Sequence, residues 1–233
     1  MKQILLALKL NLRKLILIST IVSVSCLFIV SICILNYVIK DQLIQNSLSV
    51  NEKYASKVAT SADQHFDDML QELKYSADLL GQSFSNRQLT QEEAKRLKNQ
   101  SHKFNSLLIV DKQRRIVSFA PQSLNLSTQI LYKTVGITES LKHKTTYISP
   151  PYWSVKHNLV VLLSQPIYDQ NKNYQGMIGG TIYLQKNNLI QHMLSTEYDF
   201  KKSYMYVIDQ DNRIIFHPDR TRIGEKIINN NGL

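Results

Sequence analysis

The first apolar stretch of the chain runs from residue 15 to residue 39 and contains no charged residue. At a rise of about 1.5 Å per residue, a helix of this length exceeds the roughly 20 residues that cross a bilayer. The apolar core is longer than the ~7–15 residues of a signal peptide, and residues 34–38 offer no small-residue cleavage site. The pattern therefore predicts a transmembrane helix rather than a cleaved signal.

The charges on the two sides of this span differ. Four cations and no acidic residue precede it, namely Lys2, Lys9, Arg13 and Lys14. On the other side, Lys40 is followed at once by Asp41. Because positively charged flanks stay in the cytoplasm, residues 1–14 are predicted to be cytoplasmic and the chain after the span periplasmic or extracellular. The prediction is a single-pass protein of the plasma membrane, which is the inner membrane of a Gram-negative cell.

After the span, apolar residues recur at helical steps of three, four and seven from Leu43 to Phe84. No Pro interrupts this stretch, and its first Gly is Gly81. The pattern predicts a long helix that continues directly from the membrane span. Such a helix packs on its own domain, on a second copy of the chain, or on both. We expect both, so the sequence predicts a homodimer that forms through the long helix.

A β-hairpin pattern occurs twice in the rest of the chain, at residues 108–117 and again at 206–215. Each copy is an apolar strand that ends in Asp, a short polar turn, and an Arg that leads into a second β-branched strand. Ahead of the first copy, Thr90 and Glu93 form a capping box that predicts a short helix to about residue 103. The repeat predicts two tandem modules of one kind.

Between the hairpins, the pattern predicts a helix at 128–142 and an extended segment around the consecutive prolines Pro150 and Pro151. Two long strands follow at 158–167 and 175–184, and a short helix at 187–195. This order of elements predicts an α+β fold, with a central antiparallel sheet and a helix on one side.

The formal net charge is +10, but four of the positive charges belong to the flank of the membrane span. The other cations are interspersed with acids, as on a solvated helix face, and the predicted location argues against a nucleic-acid partner. Contact of Lys53 and Lys57 with anionic lipid headgroups is a hypothesis. Both cysteines, Cys26 and Cys33, lie within the span, so the exported part is stabilised by its core and not by disulfides.

The sequence contains no pattern typical of an active site. Its six histidines lack the spacing and the Cys partners of a zinc site. It shows no nucleophile elbow, P-loop or dinucleotide-binding fingerprint. We therefore predict no catalytic residues, no metal site and no cofactor.

Five segments of the chain together resemble the double Cache sensor domain, a family with PAS-like modules. They are residues 107–111 (LLIVD), 147–152 (YISPPY), 164–169 (SQPIYD), 176–184 (GMIGGTIYL) and 206–209 (YVID). The resemblance covers roughly residue 41 to the end of the chain. Within the family, the chain is most similar to the sensors of membrane-bound bacterial diguanylate cyclases.

The resemblance implies a division of the chain. In the family, a membrane-distal module binds a small ligand, and a membrane-proximal module leads to a second membrane helix and an output domain. We expect a transmembrane helix at 15–39, the long helix and distal module at 40–200, and the beginning of a proximal module at 201–233. That second module is expected to be incomplete, with unpaired strand edges at its hairpin and less hydrogen-exchange protection than the first.

The leading hypothesis is a non-catalytic small-molecule sensing module of a membrane-anchored signalling protein. The Gly-Gly-(Asp/Glu)-Glu-Phe motif of a cyclase active site does not occur in the chain. The alternatives are a fragment of a diguanylate cyclase, the sensor of a chemoreceptor or histidine kinase, and an anchored protein that captures a solute without signalling.

The candidate ligand site combines aromatic walls with a few polar groups, as small-molecule pockets do. It requires the aromatic loop at 147–153 to fold over the sheet, where strand alternation puts Thr181 and Tyr183 on one face. The candidates are Tyr147, Tyr152, Trp153, Gln165, Thr181 and Tyr183. The alternative for each of them is a role in core or surface packing.

The resemblance also predicts what the ligand is not. Members of the family that bind amino acids carry a Tyr and an Arg followed by Trp-Tyr before the loop, and an Asp in the last long strand. Here that run is missing, and the position that resembles the Asp is Thr181. Without both partners an amino acid loses charge-assisted hydrogen bonds of about 1.5–3 kcal/mol each. We therefore predict an unknown small ligand that is not an α-amino acid.

Overall fold

The computed structural model describes residues 12–100, 103–128, 132–197 and 205–227. The described helices are α1 (Leu12–Gly81), α2 (Arg87–Gln100), α3 (Val135–His143) and α4 (Leu189–Glu197). The described strands are β1 (Ser106–Asp111), β2 (Ile116–Ala120), β3 (Tyr147–Ile148), β4 (Tyr152–Trp153), β5 (Leu159–Tyr168), β6 (Tyr174–Tyr183), β7 (Val207–Ile208) and β8 (Ile214–Phe216). The chain divides into two compact units between Ala59 and Thr60, within α1.

The first unit is the part of α1 that precedes Thr60. It holds the one stretch, among the described residues, that is long and apolar enough to cross a membrane, with a mean hydropathy of 2.7. None of this stretch is buried, and Leu27 and Phe28 are 69% and 67% exposed. Because α1 runs from Leu12 to Gly81, the predicted span and the amphipathic stretch after it belong to one helix, as the sequence predicts.

The second unit is built on a six-stranded antiparallel sheet. The strand order is β2-β1-β6-β5-β3, and β4 also pairs with β5. Strands β5 and β6 form the long central hairpin, and β1 pairs along the other side of β6. The predicted central antiparallel sheet is confirmed, because each strand pair predicted from the pattern is present.

Strand alternation sorts the apolar side chains of the sheet into two clusters. One face packs on α1 and α2 and forms the helix-side cluster, which includes Met69, Leu73, Leu97, Ile109, Leu163 and Ile178. The other face forms the cavity-side cluster, which includes Leu108, Val110, Ile137, Tyr152, Leu162 and Met177. The core therefore lies on both faces of the sheet, with α1 and α2 on one face and α3 on the other.

Gly180 on β6 allows Phe104 to lie flat against the sheet on the helix side. A Cβ atom at this position would lie 2.1 Å from Cδ1 of Phe104, well inside any real contact. Phe104 is itself 1% exposed and belongs to the helix-side cluster. Any side chain at residue 180 would displace this ring.

Helix α2 begins a turn earlier than the capping box predicts. The Asn86 side-chain oxygen accepts hydrogen bonds from the backbone N–H groups two and three residues further on, at 3.1 and 3.2 Å. Thr90 is buried inside the helix, where its hydroxyl donates to the Arg87 carbonyl (3.0 Å) and lies 2.7 Å from the Ser118 hydroxyl. Asn86 therefore caps the helix, and Thr90 joins it to β2.

Helix α3 is shorter than predicted. It begins at Val135, after Thr134 with an extended backbone (φ −67°, ψ 153°), and ends at His143. Residues 132–134 are not helical, and 129–131 of the predicted helix lie outside the described residues. Gly136 lies in the first turn of α3.

The predicted second hairpin is present as β7 and β8. Ile214 on β8 and Ile223 after it are buried in the helix-side cluster. The Ile214 N–H donates to the Glu225 carbonyl (2.9 Å), and the Gly224 N–H donates to the Ile214 carbonyl (2.8 Å). The expectation of an unpaired edge is therefore wrong for β8, and the division of the chain at residue 200 stays a prediction.

Candidate ligand site

A cavity of about 40 Å³ lies on the cavity side of the sheet. It is at the end of the sheet where β1 begins and β6 ends. The register pairs Ser106 with Thr181, and Val160 with Tyr183. Strand alternation therefore brings these four side chains, from three neighbouring strands, to the floor of one cavity.

Three hydroxyl groups on this floor form a cluster, which we call the hydroxyl cluster: Ser106, Thr181 and Tyr183. The Ser106 and Thr181 hydroxyls share a short hydrogen bond, and the Thr181 hydroxyl also donates to the Ser106 carbonyl (3.3 Å). The Tyr183 hydroxyl donates to the Ser106 hydroxyl at 3.1 Å. Ser106 and Thr181 are 3% and 4% exposed, so their polar atoms need these partners.

The wall of the cavity is formed by α3, the segment before it, and β4. Tyr132, Ile137 and Tyr152 line it and are buried. Burial raises the pKa of the Tyr152 phenol to about 12, a rise that the Thr134 hydroxyl opposes. A Cβ atom at Gly136 would lie 2.5 Å from the Tyr152 hydroxyl, so glycine lets α3 approach this ring closely.

The remaining lining consists of aliphatic side chains and the β4–β5 turn. Leu108, Ile116, Leu124 and Leu126 are the aliphatic members on the far side, and Ser154, Val155 and Lys156 belong to the turn. Lys156 is exposed and is the one charged residue among the described lining residues. No Asp or Glu is among them. The described part of the chain also has no cluster of three His, Cys, Asp or Glu side chains that could hold a metal ion.

The cavity brings together three of the six predicted site residues, namely Tyr152, Thr181 and Tyr183. Gln165 lies on the opposite face of the sheet, where its side-chain nitrogen donates to the Leu70 carbonyl of α1 (3.2 Å). Its side-chain oxygen accepts a hydrogen bond from the Thr146 hydroxyl (2.8 Å). Gln165 therefore joins the sheet to α1 and does not line the cavity.

The other two predicted residues lie at the surface beside the cavity. The Tyr147 ring stacks on the imidazole of His143, with 5.3 Å between the ring centroids. Trp153 is 56% exposed, because it follows Tyr152 on the same strand and points to the other side. Neither residue is among the cavity lining.

The sequence did not predict the other polar lining residues, which are Ser106, Tyr132, Thr134, Ser154 and Lys156. Ser106 was predictable in principle, because it lies just before the predicted hairpin, whose first strand must pair with a long strand of the sheet. Lys156 lies in a turn, and no periodic pattern marks which turn residues face a cavity.

The chain can now be placed in a family. The Cache domain model matches residues 37–232, so the chain belongs to the Cache domain family, as predicted. No curated protein matches the chain as a whole.

Solved structures share the fold at low sequence identity. An extracellular ligand-binding receptor from Desulfohalobium retbaense DSM5692 has a TM-score of 0.65 at 16% identity, over 73% of this chain and 31% of that chain. The ligand-binding domain of the Pseudomonas aeruginosa PAO1 amino acid chemoreceptor PctB, in complex with L-Gln, has a TM-score of 0.56 at 17% identity, over 72% of this chain and 67% of that one. The sensor domain of the V. cholerae histidine kinase DctB has a TM-score of 0.54 at 12% identity, over 80% of this chain and 71% of that one.

The family and the fold confirm the predicted class, a Cache-type sensor domain with an α+β architecture. The chain spans about a third (31%) of the length of the Desulfohalobium receptor. The predicted association with a diguanylate cyclase stays a prediction.

Proposed function

We propose that the chain is the extracytoplasmic sensing part of a membrane-anchored signalling protein, and that a small molecule binds in the cavity above the hydroxyl cluster. The observation that supports this most directly is the cavity itself. It combines aliphatic and aromatic walls with buried hydroxyls and one cation, the usual composition of a small-molecule site. Tyr152, Thr181 and Tyr183 are the proposed ligand-binding residues from the sequence, joined by Ser106 and Lys156.

The proposed signal passes through the sheet to α1. The cavity lies on one face of β5 and β6, and the opposite face of the same strands packs on Met69 and Leu73 of α1. Gln165 adds a hydrogen bond from β5 to the α1 backbone. A ligand that binds one arrangement of strands and helix more tightly than another will shift the population between them.

We further propose the orientation that the charges predict, with residues 1–14 in the cytoplasm and the second unit outside. The apolar part of α1 contacts the lipid bilayer, and two copies of the chain associate through α1. The module has no catalytic role of its own in this proposal. Its signal reaches an output domain of the parent protein, for which a diguanylate cyclase, a chemoreceptor and a histidine kinase are the alternatives.

The test is ligand-induced stabilisation of the full chain in lipid nanodiscs. A library of small extracellular metabolites, with neutral, anionic and cationic members, is screened by thermal unfolding. We expect at least one compound to raise the midpoint, because a ligand that binds only the folded state stabilises it. If no compound stabilises the protein, the proposed function is wrong.

A matched pair of variants tests whether the ligand binds in this cavity. Val155 lines the mouth of the cavity and is 48% exposed, so Val155→Trp blocks the mouth without filling the core. Ile148 is 44% exposed on β3 and does not line the cavity, so Ile148→Trp is the control. We expect Val155→Trp to lose the thermal shift and Ile148→Trp to keep it. A full response in the Val155→Trp protein would place binding elsewhere.

A further inference from the structure

We infer that the ligand is a short-chain monocarboxylate, a compact anion with an apolar body and no ammonium group, anchored by Lys156. This inference rests on the proposed function, since it concerns the same cavity. The size of the cavity, its charge and the position of its polar groups support it.

The size of the cavity limits the ligand to a few heavy atoms. A water molecule occupies roughly 10–15 Å³ of such a volume, and the cavity measures about 40 Å³. It therefore has room for about three or four water-sized groups. Pockets that bind larger ligands have volumes of roughly 300–1,000 Å³. Acetate and propionate have the required size.

The charge around the cavity favours an anion. Lys156 is the one charged residue of the described lining, and Lys186 adds a second cation, 5.4 Å from the centroid of the Tyr183 ring. No carboxylate among the described lining residues is available to pair with a ligand ammonium group. An amine would be buried beside cations without a counter-charge, which is costly.

The hydroxyl cluster and the one charged lining residue lie at the same end of the cavity. The hydroxyl cluster is at the start of β1 and the end of β6, and Lys156 is in the β4–β5 turn at this same end of the sheet. Further along β1 and β2, the lining residues are Leu108 and Ile116. A ligand with a charged head and a hydrocarbon tail matches this polarity.

The hydroxyl cluster can adapt to a carboxylate. Ser106 and Thr181 keep their mutual hydrogen bond whatever the direction of the Tyr183 hydroxyl. A phenol hydroxyl both donates and accepts, and its proton rotates to suit its partner. Tyr183 can therefore direct its proton to a ligand oxygen, while Lys156 supplies the charge.

The test measures binding to the full chain in nanodiscs by calorimetry, with four probes of nearly equal size: propionate, propionamide, propylamine and L-alanine. Only propionate is a carboxylate without an ammonium group. We expect propionate to bind and the other three to bind at least tenfold more weakly. Propionamide or L-alanine binding as tightly as propionate, or no binding of propionate, would overturn the inference.

The variant Lys156→Met keeps the side-chain stem and removes the charge. We expect it to weaken propionate binding about tenfold, the lower end for a charge-assisted contact, because Lys156 is exposed to solvent. Lys95→Met is the control, since Lys95 is exposed on α2, which packs on the opposite face of the sheet. Equal affinity of the Lys156→Met and Lys95→Met proteins would contradict the role of Lys156.

The same probes separate this inference from the proposed function. If an amine or a neutral compound binds and Val155→Trp abolishes that binding, the cavity is a ligand site and the carboxylate inference is wrong. If propionate binding survives in Val155→Trp, propionate occupies another site and the carboxylate inference is also wrong. Loss of propionate binding in both Val155→Trp and Lys156→Met supports the two together.

Discussion

The same kind of turn, each with an aspartate at its start, occurs three times among the described residues. The side chains of Asp111, Asp169 and Asp209 each accept hydrogen bonds from the backbone N–H groups two and four residues further on, at 2.8–2.9 Å. In each turn the residue three positions after the Asp has a positive φ, between 58° and 69°. The sequence repeat at 108–117 and 206–215 is therefore also a structural repeat, and the third turn joins the two long strands.

The Asp169 carboxylate provides a test of this turn. The backbone N–H of Asn173 is the main reason that its pKa lies below the ordinary value of 3.8, and the Asn173 and Gln175 side chains add to this. Because the folded state favours the ionised form, its contribution to stability is present above the ordinary pKa and is lost as the pH falls through the lowered one. We expect the Asp169 carbon resonance to titrate below the ordinary range in NMR. A titration at or above that range would contradict the turn geometry.

At the scale of elements, periodicity predicted the strands well but not the face on which each side chain lies. The alternation along β5 and β6 is visible in the sequence, yet the register between them is not, and register decides which residues meet. Gln165 pairs with Ile178, and Thr181 pairs with Leu162, so the two predicted polar residues lie on opposite faces. For this reason only half of the predicted residues line the cavity, namely Tyr152, Thr181 and Tyr183. Lys156 was missed because it belongs to a turn.

The ion pair between Glu93 and Arg96 lies within α2, in a segment whose mixed charges predicted a solvated helix face. Glu93 is 4% exposed, and its carboxylate accepts hydrogen bonds from Ser76 (2.5 Å) and from Arg96 (2.6 and 2.8 Å). Burial alone would raise the pKa of Glu93, but the bonds from Arg96 and Ser76 outweigh it and hold the pKa below its usual range. The ionised carboxylate therefore joins α2 to Ser76 of α1.

We expect Glu93→Ala to lower the free energy of unfolding by about 2–3 kcal/mol, because it removes the buried carboxylate that accepts hydrogen bonds from Ser76 and Arg96. The neighbouring Glu92 is exposed and bonds only to Gln88, so Glu92→Ala should change stability by no more than about 0.5 kcal/mol. Denaturant unfolding of the two variants measures this difference. A similar loss of unfolding free energy in the two variants would mean that the Glu93 carboxylate does not stabilise the packing of α2.

At the scale of the whole molecule, the proposal gives α1 two roles, as a membrane anchor and as the contact between two copies of the chain. Past the predicted span, α1 carries apolar side chains that are exposed in a single chain, with Leu43 at 63% and Val50 at 57%. These residues are seven positions apart, so they lie on the same face of the helix. A second copy of the helix would bury this face, which is the basis of the proposed homodimer.

The dimer proposal predicts a face-dependent effect of substitution. The double change Leu43→Asn and Val50→Asn places polar groups on the apolar face, so we expect a weaker dimer, by about tenfold or more in dissociation constant. Gln45 is exposed on the opposite face, two residues after Leu43, and Gln45→Asn should leave the dimer unchanged. Sedimentation equilibrium in detergent measures both. If the double variant associates as strongly as the Gln45→Asn control, the copies do not meet through this face, and the signal proposed to pass along α1 would have to reach the membrane within a single chain.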